Sequence, residues 1–100
     1  MGYRNDYINV IVDLNYKFDL SVIDKFVTEH RAWLDECYLA KKFLCSGVKN
    51  PRTGGVIIAL VPELEELKQL LTQDPYAINN VAEYTITEFK PSKCHPDFIS

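Results

Sequence analysis

The sequence predicts an α+β fold in which a four-stranded antiparallel sheet carries two helices on one face. Hydrophobic patterns with the period of a strand or of a helix follow one another in the order βαββαβ. The 100-residue length suits one domain, and 47% hydrophobic residues supply the apolar material for one core. We therefore expect a single domain over residues 1–100, with its core at about 6–90 and an extended C-terminal tail at 91–100.

The first strand and the first helix are predicted from two different periodicities. Apolar residues occupy alternate positions between Asp6 and Leu14, which is the period of a strand. Asp19 or Ser21 can then cap a helix, because the side-chain oxygen of either residue can accept from amides of the first turn. Apolar residues recur every three or four positions up to about Tyr38, so one amphipathic helix is expected over this segment.

The second half of the chain predicts three strands and one helix. Residues 43–46 and Val56–Val61 are apolar stretches separated by a segment rich in glycine, which indicates two strands joined by a long hairpin loop. A stripe of leucines after Pro62 predicts the second helix, and the Asp74–Tyr76 turn interrupts it. Val81–Phe89 reads as the last strand. This order closes most simply as the ferredoxin-like arrangement.

The predicted third strand also bears on assembly. Val56–Val61 has no polar residue on either side of its pleat, although the helices can cover only one face of the sheet. A second copy of the chain is the simplest cover for the other face, because large exposed apolar patches are rare and two-fold homodimers are common. We expect a homodimer through the open face of the sheet; whether dimers form a higher oligomer stays open.

Charge and hydropathy exclude two classes of partner. Eleven Lys and Arg against fourteen Asp and Glu give a net charge of -3, the wrong sign for binding a phosphate backbone, so no nucleic acid partner is expected. No apolar run approaches the ~18 residues that span a bilayer, and the first residues carry no apolar signal core. No membrane association is expected, and a cytoplasmic location is predicted.

The cysteines and the C-terminal tail give little support for a metal or a disulfide framework. Cys37, Cys45 and Cys94 are an odd number without a Cys-x-x-Cys pair. We expect Cys45 to be a buried thiol and the other two to have no special role. The consecutive residues Cys94–Asp97 resemble metal ligands, but neighbours in a terminal tail seldom converge on one ion. The prediction is that the protein holds no metal.

His30 is the candidate residue for chemistry. It falls in step with the apolar stripe of the first helix, three residues after Val27 and three before Trp33, so its ring is expected to face the sheet. One interpretation is a histidine at the core edge that is satisfied by a single partner. In the other, the carboxylate of Asp74 orients the ring, provided that the two helices pack side by side. Asp74 has an ordinary explanation too, since the Asp in an Asp-Pro turn commonly accepts from nearby amides.

The segment from Ser46 to residue 55 is a candidate anion site. The glycines, Gly47 and Gly54 among them, let backbone amides approach a ligand, and Arg52 supplies a planar fork for a carboxylate. Thr53 lies in the same loop and adds a hydroxyl. The alternative is a hairpin loop whose glycines only supply unusual backbone angles.

Four segments together resemble the YciI-like (YCII-related) proteins. His30–Glu36, Leu44–Gly47, Pro51–Gly55 and Asp74–Tyr76 occur in the order and rough spacing of that family, and the resemblance extends from residue 7 to about residue 93. None of these motifs is very specific alone, but four in sequence over 100 residues make chance agreement improbable. The resemblance implies a dimeric α+β barrel, a superfamily that includes muconolactone isomerases and monooxygenases that need no metal.

The resemblance also implies site residues. In YciI-like proteins a histidine on the first helix and the aspartate of an Asp-Pro-aromatic turn are the suspected active pair. These positions correspond to His30 and Asp74, with Ser46 and Arg52 near the same pocket. The chain has Tyr76 where the family usually has phenylalanine, which adds a hydroxyl near the expected substrate.

Two functional hypotheses follow. In the first, His30 acts as general acid or base on a small organic acid, Asp74 supports its imidazole, and Arg52 or loop amides hold the substrate carboxylate. This describes a lyase or isomerase without a cofactor. In the second, the dimer binds a small ligand without converting it, as a binding or regulatory module. A scaffold for a protein partner is a third possibility, which predicts an apolar surface left exposed after dimerisation.

Overall fold

The structure, a computed structural model, describes residues 6–96 of the chain. Its strands and helices follow one another in the predicted order, with two short helices added to the two longer ones. The elements are β1 (Ile8–Tyr16), α1 (Leu20–Ile23), α2 (Val27–Leu39), β2 (Phe43–Val48), β3 (Gly54–Val61), α3 (Leu64–Leu71), α4 (Pro75–Ile78) and β4 (Ala82–Phe89). Residues 90–96 form neither helix nor strand, and the rest of the predicted tail, 97–100, lies outside the described residues.

The four strands form one antiparallel sheet in the order β2-β3-β1-β4. Strand β1 lies in the centre, where Val12 pairs with Ile57 of β3 on one side and with Ile86 of β4 on the other. The central position agrees with the burial of β1, in which Val10, Val12 and Leu14 are all buried. The predicted α+β fold with a ferredoxin-like sheet is confirmed.

The core lies between one face of the sheet and the helices. Alternate residues of β1 point into it, and Val10, Val12 and Leu14 are at most 2% exposed. Trp33 of α2 and Leu67 of α3 pack against them from the helix layer. Burying an aliphatic side chain such as that of Leu67 stabilises the fold by about 1.5–3 kcal/mol. None of the helices between residues 6 and 96 has the length and apolar character needed to cross a bilayer.

The other face of the sheet is partly apolar. Ile11 of β1 pairs with Ile58 of β3, and the Ile11 side chain is 38% exposed in the single chain. Val56, further along β3, is 36% exposed. These residues lie on the face from which the predicted dimer would be built.

The helical segments differ from the prediction at two points. The first helix is interrupted by a 3-10 turn, Asp24–Phe26, because Phe26 leaves the helical region at φ -119° and ψ 5°. This break lets Ile23 before it and Trp33 after it both face the core. The Asp-Pro turn does more than interrupt the second helix, since Pro75 begins α4 and Asp74 caps it.

Cys45 is exposed, which corrects the expectation of a buried thiol. Phe43 pairs with Ala59 of β3, whereas Cys45 pairs with Ile58, so a bulge between Phe43 and Cys45 shifts the register. The bulge turns Cys45 to the open face of the sheet, although strict alternation would have placed it on the same side as the buried Phe43. Cys37 is the buried thiol instead, and burial raises its pKa to about 11.

Candidate active site

A cavity of about 540 Å³ opens beside α2, over β2 and β3. This volume suits a small organic ligand. Its walls are mostly apolar, with a few polar and charged groups among them. The lining residues are Leu14, Tyr16, Asp24, Val27, His30, Arg31, Leu34, Ser46, Gly47, Val48, Arg52, Gly55, Val56, Ile57 and Tyr76.

His30 reaches this cavity from α2 and contacts Asp74 behind it. The Nδ1 atom of His30 lies 2.7 Å from Oδ1 of Asp74. The histidine side chain is 13% exposed and the aspartate side chain is 0% exposed. The two residues are 44 positions apart in sequence, and the packing of α4 against α2 brings them together.

Asp74 is a buried carboxylate whose oxygens both accept hydrogen bonds. Oδ1 accepts from the backbone N–H of Tyr76 at 3.0 Å, as the N-cap of α4, in addition to its contact with His30. Oδ2 accepts from the hydroxyl of Tyr84 on β4 at 2.6 Å. A carboxylate removed from water needs such donors, because burial of an unpaired charge is costly. The capping bond ties the carboxylate to the backbone and so fixes its position beside the ring.

This network assigns the ring hydrogen of His30. An ionised carboxylate can only accept, so Nδ1 carries the hydrogen that faces Asp74. Nε2 then carries the lone pair, and it has no hydrogen-bond partner among residues 6–96. The ring stacks on Tyr76, with centroids 4.0 Å apart and an interplanar angle of 12°, and Trp33 lies beside it at 5.7 Å. The geometry holds the imidazole rigidly and leaves Nε2 available to a ligand in the cavity.

The buried Tyr76 and the partly buried Tyr84 complete the surroundings of Asp74. Burial raises the pKa of Tyr84, and the negative charge of Asp74 raises it further. Burial also raises the pKa of Tyr76, to which Tyr16 and then Asp74 contribute. Both hydroxyls therefore stay protonated at neutral pH, and Tyr84 remains a donor to the carboxylate.

The two arginines that line the cavity differ in their partners. Arg52 of the β2–β3 loop donates from Nη2 to Oδ1 of Asp24 at 2.6 Å, and its guanidinium stands 6.0 Å from the ring centroid of Tyr16. Arg31 of α2 also lines the cavity and makes no hydrogen bond or ion pair within the described part of the chain. The hydroxyl of Ser46 is 2.7 Å from that of Tyr38.

The structure brings most of the predicted site residues to one place. His30, Ser46, Gly47, Arg52 and Tyr76 line the cavity, and Asp74 lies behind His30. The two remaining predicted residues, Thr53 and Gly54, do not line it.

The positions of those two residues have a physical explanation. The hydroxyl of Thr53 donates to the carbonyl of Pro51 at 3.4 Å, within its own loop. Gly54 is packed so tightly on β1 that a Cβ atom there would lie 1.8 Å from the carbonyl oxygen of Leu14. Its role is close packing of strands and not contact with a ligand.

Sequence reasoning missed Tyr84 and Asp24. For Tyr84 a signal was available, because a tyrosine on the inner face of a strand needs a partner for its hydroxyl. Asp24 belongs to a charged face of the first helix in the sequence, and no local pattern indicates that Arg52 pairs with it. Between residues 6 and 96, no group of three His, Cys, Asp or Glu side chains is arranged to hold a metal ion.

The chain is a ferredoxin-like α+β domain in which the partly buried His30 contacts the buried carboxylate of Asp74 beside a cavity. The model of the YCII-related domain matches residues 9–90, so the chain belongs to the YCII-related family. A search of curated proteins finds no match.

Solved structures share the fold at low sequence identity. A 5-chloro-2-hydroxyhydroquinone dehydrochlorinase, TftG from Burkholderia phenoliruptrix AC1100, in complex with 2,5-dihydroxybenzoquinone, aligns with a TM-score of 0.69 and 17% identity over 83% of this chain and 93% of that chain. SnoaB, a cofactor-independent oxygenase from Streptomyces nogalater, aligns with a TM-score of 0.54 and 12% identity over 91% of this chain and 98% of that chain. At these identities the likeness shows that the chain shares its fold with both proteins.

Proposed function

We propose that this protein is a small-molecule enzyme in which His30 transfers a proton to or from a small organic acid. One observation carries the proposal: Nδ1 of His30 is 2.7 Å from the buried carboxylate of Asp74, while the ring also lines the cavity. A histidine held in this way is typical of general acid-base catalysis, in which a carboxylate fixes the tautomer and supports the imidazolium.

In the proposed step, Nε2 of His30 takes a proton from a carbon atom next to an electron-withdrawing group of the substrate. The C–H electron pair forms a new double bond. In a lyase a leaving group departs with its own electron pair, and in an isomerase the proton returns at another carbon atom. The carboxylate of Asp74 stabilises the imidazolium that forms, and such proton transfer contributes about 10²- to 10⁴-fold to the rate.

The cavity wall suits a substrate with an apolar body. Val27, Leu34 and Ile57 supply apolar surface, which excludes water and strengthens the electrostatic interaction between Asp74 and a protonated His30. The comparisons support small-molecule chemistry on this fold, since one neighbour is a dehydrochlorinase and another is a cofactor-independent oxygenase. A dehydrochlorinase removes a proton and a leaving group, which is the lyase type of reaction proposed here.

The test is the variant His30→Asn, which keeps some hydrogen bonding and loses proton transfer. With a panel of small carboxylic acids followed by NMR, we expect turnover by the wild type of at least one acid and a loss of about 100-fold or more in the variant. The affinity for that acid is expected to change little.

The matched control is His95→Asn, outside the cavity, which should keep wild-type turnover. Turnover that survives in His30→Asn would refute the proposal, and binding without turnover in the wild type would favour the non-catalytic module.

A further inference from the structure

Arg52 lines the cavity, but its guanidinium is already occupied by a carboxylate of the protein. Nη2 of Arg52 donates to Oδ1 of Asp24 at 2.6 Å, from the β2–β3 loop across to the 3-10 turn that precedes α2. Among the described residues that line the cavity, Asp24 is the one with a carboxylate. The protein therefore places one of its own acidic groups where an anionic ligand would bind the arginine.

The ion pair is weak enough for a ligand to displace it. The side chains of Arg52 and Asp24 are 34% and 54% exposed, so water screens their attraction. Exposed pairs of this kind contribute little to stability. The carboxylate of a ligand whose body fills the apolar cavity exchanges one such pair for another and gains the burial of its apolar surface.

The loop that carries Arg52 is held by contacts that do not involve Asp24. The backbone N–H of Tyr16 donates to the carbonyl of Thr53 at 2.9 Å, and that of Lys49 donates to the carbonyl of Gly54 at 2.9 Å, which closes the loop on both sides of Arg52. The ring of Tyr16 lies 6.0 Å from the guanidinium and provides a cation–π contact. The loop thus presents a preorganised cation to the cavity.

We infer that Arg52 is the subsite for the carboxylate of the ligand, and that Asp24 is a built-in competitor which the ligand displaces. The inference deepens the proposed function and rests on it for the class of ligand, a small organic acid. A neutral molecule of the same shape can accept a hydrogen bond from the guanidinium but brings no negative charge to replace that of Asp24. The exchange therefore selects anionic ligands over neutral ones. Competition by Asp24 sets how tightly an anion must bind Arg52 in order to enter.

The test uses benzoate and its neutral analogue benzamide, titrated into the isotope-labelled protein and followed by NMR at the cavity residues. The variant Asp24→Asn frees Arg52, so benzoate is expected to bind about three- to fivefold more tightly, the factor that corresponds to an exposed ion pair. The affinity for benzamide should not change. In the double variant Asp24→Asn/Arg52→Gln the gain should disappear.

A matched control separates this exchange from a general effect of charge. Asp35→Asn changes the net charge by the same amount on α2, at an exposed residue that does not line the cavity. We expect it to leave the affinity for benzoate unchanged. An equal gain in Asp35→Asn would overturn the inference, and so would unchanged or weaker benzoate binding in Asp24→Asn.

Two further outcomes also decide the matter. Arg31 is the other arginine of the cavity, and if Arg31→Gln removes benzoate binding while Arg52→Gln does not, the carboxylate subsite is at Arg31 and the inference is wrong. If benzoate shifts no cavity signal in the wild type or in Asp24→Asn, it is also wrong. The failure of this inference can be told from the failure of the proposed function. If benzoate binding responds to the variants as expected but no acid is turned over, only the proposed enzyme activity is refuted. If turnover depends on His30 but its KM does not change in Asp24→Asn, only the exchange is refuted.

Discussion

The candidate site depends on the carboxylate of Asp74. The hydroxyl of Tyr84 provides the last hydrogen bond to that carboxylate. Oδ1 is shared between His30 and the backbone of Tyr76, while Oδ2 has the hydroxyl of Tyr84 as its partner at 2.6 Å. Because Asp74 is 0% exposed, no water can take the place of that hydroxyl without a rearrangement.

Removal of the Tyr84 hydroxyl is therefore expected to destabilise the protein. In Tyr84→Phe, Oδ2 of Asp74 loses its donor inside the core, and leaving a buried acceptor unsatisfied costs about 1–3 kcal/mol. Urea unfolding measures this loss of stability. The ¹⁵N chemical shifts of the His30 ring report at the same time whether Nδ1 still carries the hydrogen.

The matched control is Tyr38→Phe, which removes a tyrosine hydroxyl from an exposed hydrogen bond. The hydroxyls of Tyr38 and Ser46 are 2.7 Å apart, and water can replace either partner there. We expect a change within about 0.5 kcal/mol. Equal destabilisation by the two variants would contradict the role assigned to Tyr84.

The sequence carries part of this site and not the rest, for a definite reason. His30 could be predicted because its position in the apolar stripe of α2 is a local property. Asp74 could be predicted because an Asp-Pro pair marks a turn and because the resemblance to YciI-like proteins implies an active pair with His30. Tyr84 and Asp24 owe their partners to contacts between distant segments, and helical or strand periodicity contains no information about those.

At the scale of elements, the pairing of β1 with β3 depends on Gly54. A Cβ atom at this position would lie 1.8 Å from the carbonyl oxygen of Leu14, so the two strands can approach only because the residue is glycine. We expect Gly54→Ala to lose about 3 kcal/mol or more, because the clash is with backbone that cannot move without breaking the sheet. Urea unfolding and the fraction of folded protein in the NMR spectrum measure the effect.

Gly47→Ala is the matched control on the neighbouring strand. A Cβ atom at Gly47 has nothing within 4 Å, so the same substitution is expected to change stability by about 0.5 kcal/mol or less. If Gly54→Ala unfolds at the same urea concentration as Gly47→Ala, the close approach of the strands is not what the structure indicates.

The element boundaries show where local patterns stop being sufficient. The order and type of the main elements were predictable because their periodicities are strong. The bulge that exposes Cys45 was not, because strict alternation is the default and only the register with β3 reveals the extra residue. The 3-10 turn at Asp24–Phe26 was missed likewise, because apolar residues continue through it at helical spacing.

At the scale of the whole molecule, the sheet has one face covered by helices and one face open. Ile11 and Ile58 are directly paired at the middle of the open face, and Ile11 is 38% exposed in the single chain. The apolar pattern of β3 predicted such a face. We propose that a second copy of the chain covers this face.

The dimer can be tested with a charge placed in the middle of that face. A stable interface buries about 1,200–2,000 Å² in total, and its centre is depleted of charged residues. For the wild type we expect a mass in solution of twice the 11.5 kDa chain, measured by light scattering after size exclusion. Ile11→Lys should yield a folded monomer, since burying an unpaired lysine costs more than the interface gains there.

Ile78→Lys, a matched change at an isoleucine of α4 that is 67% exposed, should leave the dimer intact. A monomeric wild type would refute the proposal, and dissociation by Ile78→Lys alone would move the interface to the helices.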